Sequence, residues 1–368
     1  MKHNKYIGLD VHQDQNTIAI ADDGRDGEVR LYGQISSDLH AVERLLAKFQ
    51  ADGSSLHVVY EAGATGFTLY RRLRQLNIDC IVVAPSKTPK QSSQQKTDRR
   101  DAMTLARLHR AGELSCIYVP DCSDESIRHL TRARSDAVHD MRASRQRLKS
   151  FLLYQGYKYQ GKANWSIAHM RYLREMVFPS PLLKTVLEEY LLAITQAIER
   201  ISRLDDIIAA EVPKWRMYPA VQALMCMRGI QITAATILVA EIGNIMRFRH
   251  PRHLMAFLGL VPSESTSDKR RHLGSITKAG NANARWILIE IIQHAFLPPK
   301  VSAQLTNRQE GQPAKYIELG LKVQNRLYKR SCHLLRRGVL KAKVQVALAR
   351  EMSGFVWAML QMVPHPSV

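Results

Sequence analysis

The sequence predicts a mixed α/β domain followed by an all-helical remainder, and three observations carry that prediction. Short runs rich in β-branched residues alternate with helical patterns as far as residue 122. From residue 123 the apolar positions recur at threes and fours. The length, 368 residues, suits two or three domains that each bury a core.

In chain order, "KYIGLDVHQDQNTIAIA" (5–21) reads as a strand, a short turn and a second strand, and "EVRLYGQI" (28–35) as a third. Asp38 caps a helical pattern, "LHAVERLLAKFQ". "SLHVVYEAG" is a fourth strand, followed by a helix around "FTLYRRLRQLN", and "DCIVVAPS" is a fifth strand. "KTDRRDAMTLARL" (96–108) then opens another helix. Beyond it, Ile127, Leu130, Val138, Met141, Leu148 and Leu152 mark one helical stripe. Leu187, Ile194, Ile201 and Ile208 stand seven apart, with Leu183, Tyr190, Ala197 and Leu204 between them, which describes a coiled-coil seam or a long helix packed within one domain. A polar, aromatic-bearing connection, "YKYQGKANWS", separates the two stripes, and Pro213 and Pro219 flank a break. "MRGIQITAATILVAEIG" (227–243) reads either as the second half of a helix-hairpin-helix or as an ordinary turn and helix. "LMAFLGLVPSESTSDKRRHLGSITKAGNANARW" reads as a basic, Ser- and Gly-rich loop, and the tail as basic and helical.

The charge narrows the function. Lys and Arg number 53 against 33 Asp and Glu, a formal +20 with a pI near 9.9. Such an excess attracts a polyanion, and its spread over many segments favours nucleic acid over a membrane surface. No run of about eighteen apolar residues and no secretory leader pattern occurs, so a cytoplasmic protein is expected. The five cysteines lack ligand spacing and read as reduced structural thiols. No GxxxxGK[ST] loop is present.

Four acids fall at strand ends and on one helix face. Asp10 follows "YIGL", Glu61 closes "LHVVY", and Asp98 and Asp101 are i and i+3 in the helix beginning near Thr97. Singly, each acid could be a cap or an ion-pair partner. Together, in a strand–strand–strand–helix–strand order, they match a ribonuclease-H-like fold, in which such acids converge. Converging carboxylates need compensating charge, and two Mg²⁺ ions about 3.5–4 Å apart would provide it while clamping a phosphodiester. Arg99 and Arg100 would then grip the phosphate backbone.

"GLDVH", "YEAGATGF", "KTDRRDAMTLARL", "AFLGLVPSE" and "KRRHLGSITKAGN" occur in this order. Together they resemble the DEDD-type insertion-sequence transposases (insertion sequence family 110, with its 1111 branch), the RNA-guided recombinases. The resemblance implies a RuvC-like domain over 1–122, a helical coiled-coil region over 123–215 and a C-terminal transposase domain bearing a serine over 216–368. It implies that Asp10, Glu61, Asp98 and Asp101 bind metal and that Ser267 is the nucleophile, with Ser265 and Ser263 as fallbacks. It further implies a 5′-phosphoserine intermediate and a structured non-coding bridge RNA pairing with donor and target DNA. A homo-oligomer, dimer or tetramer, acting at the nucleoid would follow. Two positions depart from the family pattern: Asp268 follows the serine where a small residue is usual, and Gln231 replaces the second glycine of the "GIG" turn.

A lone serine needs activation. Lys269, Arg270, Arg271 and Lys278 lie near Ser267 in sequence and could stabilise a pentacovalent phosphate, and His272 is a candidate proton shuttle. Two rival functions remain on sequence grounds: a junction-resolving nuclease using metal-activated water, and a non-enzymatic nucleic-acid-binding protein.

Overall fold

The computed structural model describes residues 3–86, 88, 97–267 and 270–364, and the side chains of 266–271 lie outside that description. The chain divides into two compact units, Met1–Val119 and Pro120–Val368.

The first unit contains β1 (Asn4–Val11), β2 (Gln15–Asp22), β3 (Val29–Ser36), α1 (Leu39–Gln50), β4 (Ser55–Glu61), α2 (Thr68–Gln75), β5 (Asp79–Val83) and α3 (Asp98–Arg110). The strands form a five-stranded sheet in the order β3-β2-β1-β4-β5. β1, β2 and β3 pair antiparallel, whereas β4 pairs parallel with both β1 and β5. Alternation along each strand sends side chains to two faces. Ile7, Leu9, Ile18, Ile20, Val58, Tyr60 and Val82 face one core, closed by Val42, Leu46 and Phe49 of α1 and Leu69 and Leu73 of α2. On the opposite face Ala19, Ala21, Val59 and Val83 meet Ala102, Leu105 and Ala106 of α3. The small side chains there let α3 lie close to the sheet.

The second unit contains α4 (Cys122–Tyr154), α5 (Ile167–Glu175), α6 (Pro181–Glu211), α7 (Tyr218–Met225), α8 (Ile232–Ile242), α9 (Pro251–Phe257), β6 (Pro262–Ser267), β7 (Arg270–Ile276), α10 (Ala282–Ile291), α11 (Ala303–Gln309), α12 (Ala314–Arg336) and α13 (Lys341–Gln361). α4 and α6 form an antiparallel pair. Arg134 makes a two-pronged bond to Asp205 at 3.0 and 3.1 Å, and the Phe151 ring packs tilted against Tyr190 at 5.6 Å at the other end. Leu187, Ile194 and Ile208 of the heptad seam are buried, Leu187 and Ile194 beside Leu148 and Leu152 of α4. The chain thus supplies its own partner for this seam, because residues 155–180 turn it back on itself. α7 through α13 surround a separate core that includes Val221, Leu238, Leu288, Val344 and Met352. No helix among the described residues is long and apolar enough to cross a membrane.

One sequence expectation is corrected. The stretch following Val261, read as a loop, contains an antiparallel hairpin: Ser265 pairs with His272 and Ser267 with Arg270. Its strands are almost wholly polar, so hydrophobic periodicity carried no signal for them.

Candidate active site

Asp10 sits near the C-terminal end of β1. The register pairs Leu9 with Tyr60, so Asp10 and Glu61 follow one another across adjacent parallel strands. Both belong to the face covered by α3, being two residues beyond Gly8 and Val59. Gly8 brings that helix in. A methyl group at this position would stand 2.6 Å from Ala106 N and 3.1 Å from Leu105 Cβ, so any other residue would push α3 outward. Thr97 starts α3, its hydroxyl accepting from Arg100 N–H, and places Asp98 and Asp101 in the first turn. Carboxylates are favoured there by the helix dipole.

These placements bring Asp10 and Asp98 together with a residue that sequence reasoning did not assign. His12 Nε2 lies 3.2 Å from Asp10 Oδ2 and 3.7 Å from Asp98 Oδ1. Ligand atoms of Asp10, His12 and Asp98 fall within 4.8 Å of one another. Glu61 and Asp101 stand outside this group, Glu61 on the neighbouring strand and Asp101 one helical turn on. His12 follows Asp10 by two residues in "GLDVH", one position past the end of β1, where a single exposed histidine leaves no periodic signal.

The electrostatics are unfavourable for an isolated anion. Burial pushes the Asp10 carboxyl above its usual range, and the negative charges of Asp98 and Asp101 push the same way, while the hydrogen bond and charge of His12 oppose them. The Asp10 side chain is 19 % exposed, but those of His12 and Asp98 are 56 % and 55 % exposed, so the cluster opens to solvent where a bulky substrate can approach. Two carboxylates and an imidazole are a donor set that a divalent cation accepts, and its charge would relieve the repulsion at Asp10.

The remaining candidates lie as follows. Arg99 and Arg100 are exposed in the first turn of α3. Lys278 is exposed, with a left-handed backbone (φ 54°), and its N–H donates to Gly259 O. The Ser263 hydroxyl donates to Ser275 O at 3.1 Å, and Ser265 is exposed. Ser267 ends β6 and Arg270 and Arg271 open β7, while Asp268 and Lys269 lie outside the described residues. Gly229 sits in the turn between α7 and α8 at φ 83°, with His294 Cδ2 2.7 Å from where a methyl group would be, so the turn needs glycine.

Sequence reasoning also missed a buried acid in the second unit. Glu241 on α8 accepts from Arg132 Nε and Nη2 at 2.8 and 2.9 Å, from Asn281 at 2.7 Å and from Asn283 at 3.2 Å. These bonds hold its carboxyl below the usual range, against the effect of burial. Within an apolar helix pattern, no periodicity announces such a group.

Acids at the ends of β1 and β4 and in the first turn of α3, followed by a helical unit, form an architecture that comparison with known proteins places among the transposases. Residues 7–155 match the family model of DEDD transposases of the IS110 type, and residues 221–304 match the "Transposase IS116/IS110/IS902 family". The chain is 39% identical over 96% of its length to "Putative transposase y4qE" of Sinorhizobium fredii (strain NBRC 101917 / NGR234), covering 87% of that protein. It is 30% identical to the "Transposase for insertion sequence element IS1533" of Leptospira borgpetersenii, over 90% of this chain and 96% of the relative. It is 22% identical to the "Transposase for insertion sequence element IS1111A" of Coxiella burnetii, over 98% and 90% respectively. The chain belongs to the IS110/IS1111 family of insertion-sequence transposases, which are DNA-processing enzymes.

Proposed function

We propose that this transposase has a RuvC-like N-terminal domain and is a site-specific recombinase that cuts and exchanges DNA strands through a 5′-phosphoserine on Ser267, with Mg²⁺ held by Asp10, Asp98, Glu61 and Asp101 and with a bridge RNA choosing the target. The observation that carries this reading is the grouping of Asp10, His12 and Asp98, at the end of β1 and the start of α3, in a family member. Bound there, the cation would polarise a phosphoryl oxygen and neutralise developing charge.

The chain's own groups do the rest. Asp10 and Asp98 supply oxygen ligands, and Glu61 lies on the strand beside Asp10. Arg99 and Arg100, exposed next to Asp98, offer planar guanidinium groups to phosphate oxygens. The Ser267 hydroxyl attacks the scissile phosphorus and loses its proton. The bond to O3′ breaks, and O3′ leaves as a hydroxyl. One phosphoester replaces another, so rejoining needs no nucleotide triphosphate. Arg270 and Arg271 begin the strand paired with Ser267 and are positioned in sequence to stabilise the phosphorane.

The experiment is adduct trapping. Element-end DNA incubated with protein, bridge RNA and Mg²⁺ should give a covalent protein–DNA band on a denaturing gel, absent from Ser267→Ala. An adduct persisting in that variant would transfer the nucleophile to Ser265 or Ser263. Cleavage without any adduct in the wild-type protein would replace the serine with water.

A further inference from the structure

We propose that the end of the α4–α6 pair remote from the α7–α13 core is a binding site for unpaired nucleotides of a nucleic-acid strand, built on Arg145 and Trp165. Residues 141–190 hold nine Lys and Arg against three acids, whereas 122–140 and 191–211, the rest of the helix pair, together hold five Arg against eight Asp and Glu. The excess is therefore concentrated at one end of the helix pair.

That end is also organised around rings. Tyr159 packs on His169 at 4.5 Å and on Tyr172 at 5.1 Å, and Trp165 sets its edge to His169 at 5.3 Å. Trp165 adopts φ 63°, a left-handed conformation that a bulky residue takes only under constraint. The constraint is visible: Trp165 N–H donates to Nδ1 of the buried His169 at 3.0 Å, and Ser166 caps α5 through His169 N–H. Strain of this kind is retained where a particular side chain must be displayed.

What is displayed is an arginine laid on an indole. The Arg145 guanidinium carbon lies 4.9 Å from the centroid of the Trp165 ring. Its Nε is buried without a hydrogen-bond partner, and no carboxylate pairs with Arg145 among the described residues. A half-buried guanidinium whose Nε lacks an acceptor is unfavourable, and a phosphate oxygen would supply the missing acceptor. Tyr154, 88 % exposed in the last turn of α4, adds an exposed ring, and Lys149, Lys158 and Lys162 on the same segment are exposed too. Ring surfaces and exposed lysines on one segment suit bases whose faces are open rather than an intact duplex. An acidic protein or an anionic membrane would satisfy the lysines but leave the arginine–indole stack without purpose.

The site is independent of the proposed metal and serine chemistry, so the two readings fail separately. Full-length protein in EDTA, so that no strand is cut, is titrated into short fluorescein-labelled single-stranded RNA and, separately, DNA, with excess unlabelled duplex DNA present. Arg145→Ala and Trp165→Gly, the latter suited to a positive φ, should each weaken binding by about 5- to 150-fold with an unchanged melting temperature. The charge-only double variant Lys158→Glu/Lys162→Glu should also weaken it, so the test stands if a ring variant fails to fold. Ser267→Ala should bind like the wild type. Photocrosslinks from 4-thiouridine or 5-iododeoxyuridine should map to Tyr154, Tyr159 or Trp165. The stronger of the RNA and DNA arms names the strand. Unchanged affinity with crosslinks elsewhere would overturn the proposal. So would tip variants that instead lose binding to phosphatidylserine vesicles, or change the protein's solution mass, while oligonucleotide binding stays intact.

Discussion

His12 Nε2 lies 3.2 Å from Asp10 Oδ2, two residues along the chain and one position past the end of β1. The imidazole therefore either ligates beside Asp10 or orients it. On either account His12→Ala should weaken divalent-cation affinity by about 10- to 100-fold, measured by calorimetry. If nitrogen ligation is the role, the loss should be larger for Mn²⁺ or Zn²⁺ than for Mg²⁺, which prefers oxygen.

Gly8 sets how near α3 comes to β1, and hence how near Asp98 comes to Asp10. Gly8→Ala should destabilise the first unit by about 1–3 kcal/mol through overpacking and reduce transposition sharply. Gly63→Ala is the control, since a methyl group there meets nothing within 4 Å. Thermal melts and an element-excision assay on both variants separate a close-approach glycine from a tolerant one.

The sheet and most helices were legible because their patterns are local: β1, β4 and β5 are apolar runs, and Asp38 caps α1 as its sequence indicates. The adjacency of Asp10 and Glu61 was readable as two strand ends, but strand order and register were not, since they depend on which strands pair. His12 was overlooked because a single exposed histidine has no periodic signature. The β6–β7 hairpin escaped because its strands are polar, and the partner of the Leu187–Ile208 seam could not be known before α4 was seen to fold back. Arg145 and Trp165 are twenty residues apart, and no sequence rule joins them.

Glu241 ties α8 to α4 and α10 through Arg132, Asn281 and Asn283. Removing a buried partner leaves charge uncompensated at about 3–5 kcal/mol; because the Arg132 side chain is 50 % exposed, Glu241→Gln should cost about 2 kcal/mol. The pH dependence has a definite sign. The carboxyl titrates lower in the folded chain than its ordinary 4.5, so its stabilisation is complete above about pH 4.5 and is lost as pH falls through the lowered value. Denaturant midpoints below pH 4.5 should therefore fall more steeply for the wild type than for Glu241→Gln.

His109 on α3 lies edge-on to Tyr6 at 5.5 Å, with its Nε2 buried and unbonded among the described residues. Burial chiefly, then the nearby His57, hold it below the ordinary 6.5, so the fold prefers the neutral ring. Stability should be full above about pH 6.5 and should decline as pH falls toward the lowered value, where only the unfolded chain gains the proton. Melting temperatures taken between about pH 7.5 and about pH 5.5 should drop less in His109→Leu than in the wild type.

Strand cleavage by the proposed mechanism requires acids of the first unit to hold a divalent cation. Titrating Mn²⁺ into the full-length protein and following the free-ion electron paramagnetic resonance signal tests this without reference to activity. Wild-type protein should remove Mn²⁺ from solution, and Asp10→Asn, with the same melting temperature, should not. Equal uptake by the two proteins would place the ion elsewhere and contradict the assignment.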